Sequence, residues 1–172
     1  MSGIIINPYV YAGPSFESTL CAEFDGVSGE WISCGNDASL LATTFSISIW
    51  VNPTLLTDSN GNWDVMCARD MNWNGSHTPV NQGWYLRIDG SGDVHFDRAG
   101  GPASTCLFPK SDMTAGSWNH IAITYDLSAT EGKIYLDGVL KATDSSMTLV
   151  FTNMAGPHFL IGARNQDTGL FP

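Results

Sequence analysis

The chain has 172 residues, 43% of them apolar, which is enough for one packed domain with a sizeable core. Seventeen acidic residues against seven basic ones give a net charge of −10, which repels phosphate and excludes nucleic acid as the expected partner. No apolar run reaches the roughly 18 residues that a membrane helix needs, so membrane insertion is not expected.

The start, MSGIIINPYVYAGPSF, places Ile4-Ile5-Ile6 and Tyr9-Val10-Tyr11 around Asn7-Pro8. It lacks the basic start, apolar centre and small-residue exit of a secretion signal, which points to a chain made and kept in a cytoplasm. Residues 1–16 read as an arm or extra strand ahead of a domain over 17–172. Phe24 and Trp31 flank a turn at 25–30. Phe45 to Val51 alternates with period two apart from Trp50, so its odd positions are predicted to face a core. Gly83–Ile88 and Val94–Phe96 flank a Gly-rich turn, and Ile121, Ile123 and Tyr125 alternate again. Lys133–Leu136 meets Val139–Lys141 across Asp137-Gly138, a favoured two-residue hairpin turn. Phe159–Ile161 is a short late strand. Short strands with regular turn signals, and no amphipathic helix or internal repeat, predict an all-β chain folded as an antiparallel two-sheet sandwich. Trp118, Ile121, Ile123, Tyr125, Ile134 and Leu136 are expected in or near its core.

Residues that could carry chemistry are sparse. The four cysteines, Cys21, Cys34, Cys67 and Cys106, form no C-x-x-C pair, so zinc is not expected. Cys21 and Cys34 face each other across a predicted hairpin, either as a disulfide or, without a secretion signal, as buried free thiols. His95 and His120 fall within predicted strands, with no serine or cysteine signalled as a partner, which is the setting of packed or edge histidines. There is no G-x-S-x-G and no phosphate-binding glycine loop, so the chain is expected not to be an enzyme. The loop ARDMNWNGSHTPVNQGW, residues 68–84, sets Trp73 and His77 among Asn72, Asn74 and Ser76. An exposed Trp with amide neighbours can stack on a sugar face and bind its hydroxyls; alternatively Trp73 folds back onto the sandwich or meets a neighbouring subunit. Asn74-Gly75-Ser76 also matches the glycosylation pattern.

Three segments carry a family resemblance: AEFDGVSGEWISCGNDASLLATTFSISIWVNP at 22–53, GSWNHIAITYDLSATEGKIYLDGVLKAT at 116–143, and FLIGAR at 159–164. Together, and in this order, they resemble the laminin G-like branch of the concanavalin A-like lectin/glucanase jelly rolls. The resemblance implies a jelly-roll sandwich. Glucanase relatives use closely spaced acids, as in E-x-D-x-x-E, and Glu17, Glu23, Glu30 and Glu131 begin no such motif here. The resemblance also implies calcium at one end of the sandwich. The matching candidates are Asp70, Asn72 and Asn74 in the long loop and Asn165, Gln166 and Asp167 after FLIGAR, with Arg164 opposing a cation. Asp25 and Asp37 match a different structural cation position.

Similar domains continue with one more strand after the position of Arg164, where this sequence runs only to Pro172. Either the sequence is truncated, or residues 1–16 fill that slot in their own subunit or pair with a neighbour, which favours a homo-oligomer or binding to other virion proteins. Two functional expectations follow. One is a non-enzymatic structural or decoration protein of a virus particle, most naturally a bacteriophage head or tail, touching host surface glycans. The other is a calcium-assisted carbohydrate-binding module of a larger secreted or adhesive protein, located outside the cell.

Overall fold

Alternating apolar and polar residues can bury one face of a strand and solvate the other, and two such faces close into a sandwich. That is the arrangement in a computed structural model of the chain. The described residues are 4–5, 21–24, 31–35, 37, 40, 42–54, 56, 64–70, 83–89, 92–98, 105–149 and 159–162, with only the backbone described at 4, 5, 64, 69 and 70. One sheet has five strands in the order β1 (Ile4–Ile5), β3 (Thr44–Val51), β8 (Asn119–Asp126), β9 (Glu131–Leu136) and β10 (Val139–Asp144). The other has six: β2 (Ile32–Ser33), β11 (Phe159–Ile161), β4 (Asp64–Asp70), β5 (Gly83–Ile88), β6 (Asp93–Arg98) and β7 (Thr105–Pro109). Every described pairing is antiparallel. Among the described residues, helix is limited to 3-10 turns, at Leu40 and at Lys110–Asp112.

Register follows the alternation. Phe45, Ile47 and Ile49 of β3 oppose Tyr125, Ile123 and Ile121 of β8, which oppose Gly132, Ile134 and Leu136 of β9. The other sheet contributes Met66, Trp84, Leu86, Val94 and Phe96 to the same core. Rings join the two layers: Phe45 stacks on Trp84 at 5.3 Å between centroids and lies 5.7 Å from Tyr125. The Tyr125 hydroxyl accepts from the Leu149 amide at 3.1 Å, which ties the segment after β10 to the core. The β9–β10 turn is the predicted one: Asp137 and Gly138 have φ of 50° and 79°, the left-handed pair that suits a tight hairpin.

Two expectations change. Trp118 is 40% exposed and outside the core. Burial in β8 falls on positions 119, 121, 123 and 125, so position 118 has outward parity. The Asn119 side chain fixes the turn ahead of it by bonding the Thr114 amide, the Thr114 carbonyl and the Ser117 carbonyl. Cys21 and Cys34 are exposed free thiols rather than buried ones, because β2 pairs with β11 and the Cys34 amide donates to the Phe159 carbonyl. Cys67 and Cys106 are buried free thiols, and burial pushes them up to about 12 and about 11. Ile4 and Ile5 of the N-terminal segment oppose Val51 and Trp50 of β3 in the same chain; residues 6–16 lie outside the described residues.

Gly132 shows how closely this core is filled. A Cβ there would run into the Met147 Sδ, lie 2.8 Å from Met147 Cε and stand 3.3 Å from the Phe96 ring. Met147 is fully buried and has little room to yield. Gly132→Ala is expected to lower the unfolding free energy by about 1–3 kcal/mol, as overpacking does, measured by urea denaturation.

Candidate functional site

The inward turn of Trp84, Leu86, Val94 and Phe96 leaves Tyr85, Arg87, His95 and Asp97 on the outer face of the six-stranded sheet. All four are buried there, with relative exposures of 5, 7, 9 and 5%. The β5–β6 register sets Arg87 opposite His95 and Tyr85 opposite Asp97. Buried charges must be paired to be tolerated, and these are. Arg87 Nε donates to Asp97 Oδ2 at 2.9 Å, and Arg87 Nη2 lies 2.7 Å from the same oxygen. Arg87 Nη1 lies 3.6 Å from Asp89 Oδ2, and the guanidinium sits 5.5 Å from the centre of the Tyr85 ring. His95 bridges the two acids, with Nε2 3.0 Å from Asp89 Oδ2 and Nδ1 3.4 Å from Asp97 Oδ1. The Thr105 hydroxyl donates to Asp97 Oδ1. Asp89 Oδ1 caps the connecting turn, accepting from the Gly92 and Asp93 amides at 3.0 and 3.2 Å.

Burial pushes the Asp97 carboxyl up. Hydrogen bonds from His95 and Thr105, with the charges of Arg87 and His95, outweigh it and hold Asp97 below the usual carboxylate range. Asp97 therefore stays ionised and serves as a fixed acceptor rather than an acid. Beside this network the face opens along β7, where Leu107 and Pro109 are exposed and Thr105 is half-buried. Asp93 stands half-buried opposite Pro109. Two exposed apolar side chains, Leu107 and Pro109, thus lie beside the half-buried Thr105 and Asp93 at the edge of the network.

The outer face of the five-stranded sheet holds a second polar group. Ser48 Oγ lies 2.6 Å from His120 Nε2, so His120 has the hydroxyl partner that the sequence did not signal. Burial pushes His120 down while the Asp137 charge opposes it. The Asp137 carboxylate accepts from the His120 backbone amide at 2.9 Å. Trp50 packs against the imidazole at 5.0 Å between ring centroids. Nucleophilic catalysis needs a base oriented through its other ring nitrogen and a pair of donors for the oxyanion. Asp137 accepts from the His120 backbone amide rather than from its ring, so this carboxylate is not bonded to the imidazole as an orienting partner would be.

The loop candidates Asn72, Trp73, Asn74 and His77 lie outside the described residues, as do Asn165, Gln166, Asp167 and Asp25. Their attachment points are clear. Asp70 ends β4 opposite Gly83, so segment 71–82 leaves the sheet at the end where Tyr85 and Asp97 stand. Gly162, just past β11, bonds the Met66 carbonyl, roughly 13 Å along β4 from Asp70 at the usual rise per residue. Among the described residues no group of three or more His, Cys, Asp or Glu is set to hold a metal ion.

Arg87, Asp89, Asp97, Thr105 and Ser48 were not among the sequence candidates. A register count could have found most of them: once Ile88 opposes Val94 across the Gly-rich turn, Arg87 meets His95 and Tyr85 meets Asp97.

A family model described as the concanavalin A-like lectin/glucanases superfamily matches residues 25–172. Among solved structures, the chain is similar to the CBM40 of the Ruminococcus gnavus IT-sialidase bound to α2,3-sialyllactose. The TM-score is 0.57 at 18% identity, covering 81% of this chain and 79% of that one. The same CBM40 bound to α2,6-sialyllactose gives 0.56 at 18% identity, covering 81% and 80%. At such identities the likeness shows a shared fold. A comparison with curated protein sequences found no match.

Because Asp97 is held below its unfolded value, its contribution to stability is complete above about pH 4 and is lost as pH falls through the folded value. Asp97→Ala leaves Arg87 with a lost partner and is expected to cost about 3–5 kcal/mol at pH 7. Unfolding midpoints measured from pH 7 to pH 2 are expected to show the gap between wild type and variant shrinking below about pH 4.

Proposed function

The chain belongs to the concanavalin A-like lectin/glucanase superfamily, and from that membership we propose that it is a non-catalytic carbohydrate-binding module acting outside the cell, within a larger secreted or adhesive protein. The observation that carries this reading is the outer face of the six-stranded sheet, where exposed apolar side chains lie beside locked hydrogen-bonding groups. The fold shared with a carbohydrate-binding module solved with two sialyllactoses supports it. The state of the carboxylates supports a non-catalytic role. Glycoside hydrolysis needs a protonated acid paired with an ionised partner. On this face Asp89 and Asp97 instead share Arg87 and His95, and Asp97 is held ionised.

In this proposal Trp73 is the stacking platform and Asn72, Asn74 and His77 are hydroxyl partners. Calcium enters through Asp70, Asn72, Asn165, Gln166 and Asp167, and it would order the loops rather than take part in chemistry. The virus-particle reading rests on sequence patterns in residues 1–16 and 163–172, and the comparisons lend it no support.

The test is a broad glycan array followed by calorimetry with the whole chain. Binding to a defined glycan is expected, weakened about tenfold or more by Trp73→Ala and reduced by chelator. A folded chain that retains no glycan in the presence of calcium would sink the module reading. Binding that is indifferent to chelator would remove calcium from it.

A further inference from the structure

Resting on the module reading, we infer that the outer face of the five-stranded sheet is a second glycan-binding site, which takes an extended oligosaccharide independently of Trp73. The order of rings and polar groups along β8 carries the inference. Positions 119, 121 and 123 are buried, so Trp118, His120 and Ala122 share the outer face at steps of about 7 Å. Trp50 opposes His120 and packs against its ring at 5.0 Å between centroids, and Tyr135 opposes Ala122. Trp118 is 40% exposed, while Trp50 and Tyr135 are half-buried. Ser48 and Ala122, both small, share a row with Tyr135, so the rings stand above a low floor.

Hydrogen-bonding groups alternate with these rings. The Asp137 amide donates to the His120 carbonyl at 2.8 Å, and Asp137 Oδ1 accepts from the His120 amide at 2.9 Å. Those two bonds anchor the exposed Asp137 carboxylate in the row of Trp50 and leave its Oδ2 to accept from a sugar hydroxyl. Ser48 is exposed, and its hydroxyl, 2.6 Å from His120 Nε2, keeps further hydrogen-bonding capacity. The backbone that carries Trp118 is fixed by the three Asn119 side-chain bonds and by the Gly116 amide, which donates to the Pro53 carbonyl at 2.9 Å. Such ordering reduces the entropy that remains to be lost on binding. A sugar presents an apolar ring face rimmed by hydroxyls, which matches rings interleaved with acceptors. A protein partner would need a contiguous apolar centre, and Ser48, His120 and Asp137 interrupt one here.

The experiment is calorimetry of the full chain, and of its Trp73→Ala variant, against a panel of soluble gluco-, xylo-, manno- and arabino-oligosaccharides. Trp73→Ala is expected to keep binding at least one of them. Adding Trp118→Ala or Tyr135→Ala to that variant should weaken the remaining binding at least about fivefold, and Trp118→Phe should preserve it. Thermal melts of each variant separate a lost site from a lost fold. If Trp73→Ala binds nothing that the wild type binds, the inference falls and the module reading stands. Remaining binding that is indifferent to both Trp118 and Tyr135 would also overturn it. Self-association abolished by Trp118→Ala, with sugar binding unchanged, would assign this face to a second copy of the chain instead. A folded wild-type chain that binds no glycan would overturn both readings together.

Discussion

The contact on which the rest of this structure depends is the stack of Phe45 on Trp84. One ring belongs to the five-stranded sheet and the other to the six-stranded sheet, and they meet at 5.3 Å. Tyr125 and Phe96 close around them at 5.7 and 6.4 Å from Phe45. Each such ring removes a large apolar area from water, and offset stacks and edge contacts add about 0.5–1.5 kcal/mol per pair. Once these positions are inside, strand geometry allows no choice about their neighbours. Ser46 and Ser48 must turn outward on β3, and Tyr85, Arg87, His95 and Asp97 must turn outward on β5 and β6.

That constraint explains why a buried charge network is tolerable on one face. Replacing a buried ion cluster by apolar side chains is often neutral or stabilising, so the network is a poor source of net stability. It is a strong source of register. A one-residue slip of β5 against β6 would send Arg87 into the aromatic core and Trp84 out of it. The same bonds that enforce pairing also fix the donors and acceptors of the face in single orientations, so a ligand there would meet groups already ordered.

Strands with clean alternation could be read from the sequence. Ile47, Ile49, Ile121, Ile123 and Ile134 point inward as their spacing requires, and Asp137-Gly138 makes the turn its composition dictates. Trp118 was misplaced because hydrophobicity alone ranks it with the core, whereas the parity of β8 and the bonds of Asn119 turn it out. The polar network was hidden for a different reason. Arg87, His95 and Asp97 lie up to ten positions apart and meet only across strands, so no local motif announces them. The Ser48–His120 pair, 72 positions apart in sequence, depends on the β3–β8 register in the same way. Segment 71–82 was legible only as polar composition, which does not fix where side chains go.

The position of β11 has a consequence for the order in which the chain can mature. Residues 159–161 sit between β2 and β4, so two strands from the first half of the sequence wait for one made near its end. While the chain emerges from the ribosome, β3 and β8 to β10 can assemble as soon as residue 144 is free, but β4 keeps an open edge. An unpaired edge carrying Val65, Met66 and Ala68 is a template for the wrong partner. Such long-range closure also makes folding slow. The interval between the synthesis of β4 and of β11 is therefore when this chain is most exposed to misassembly, and where a chaperone would have most to protect.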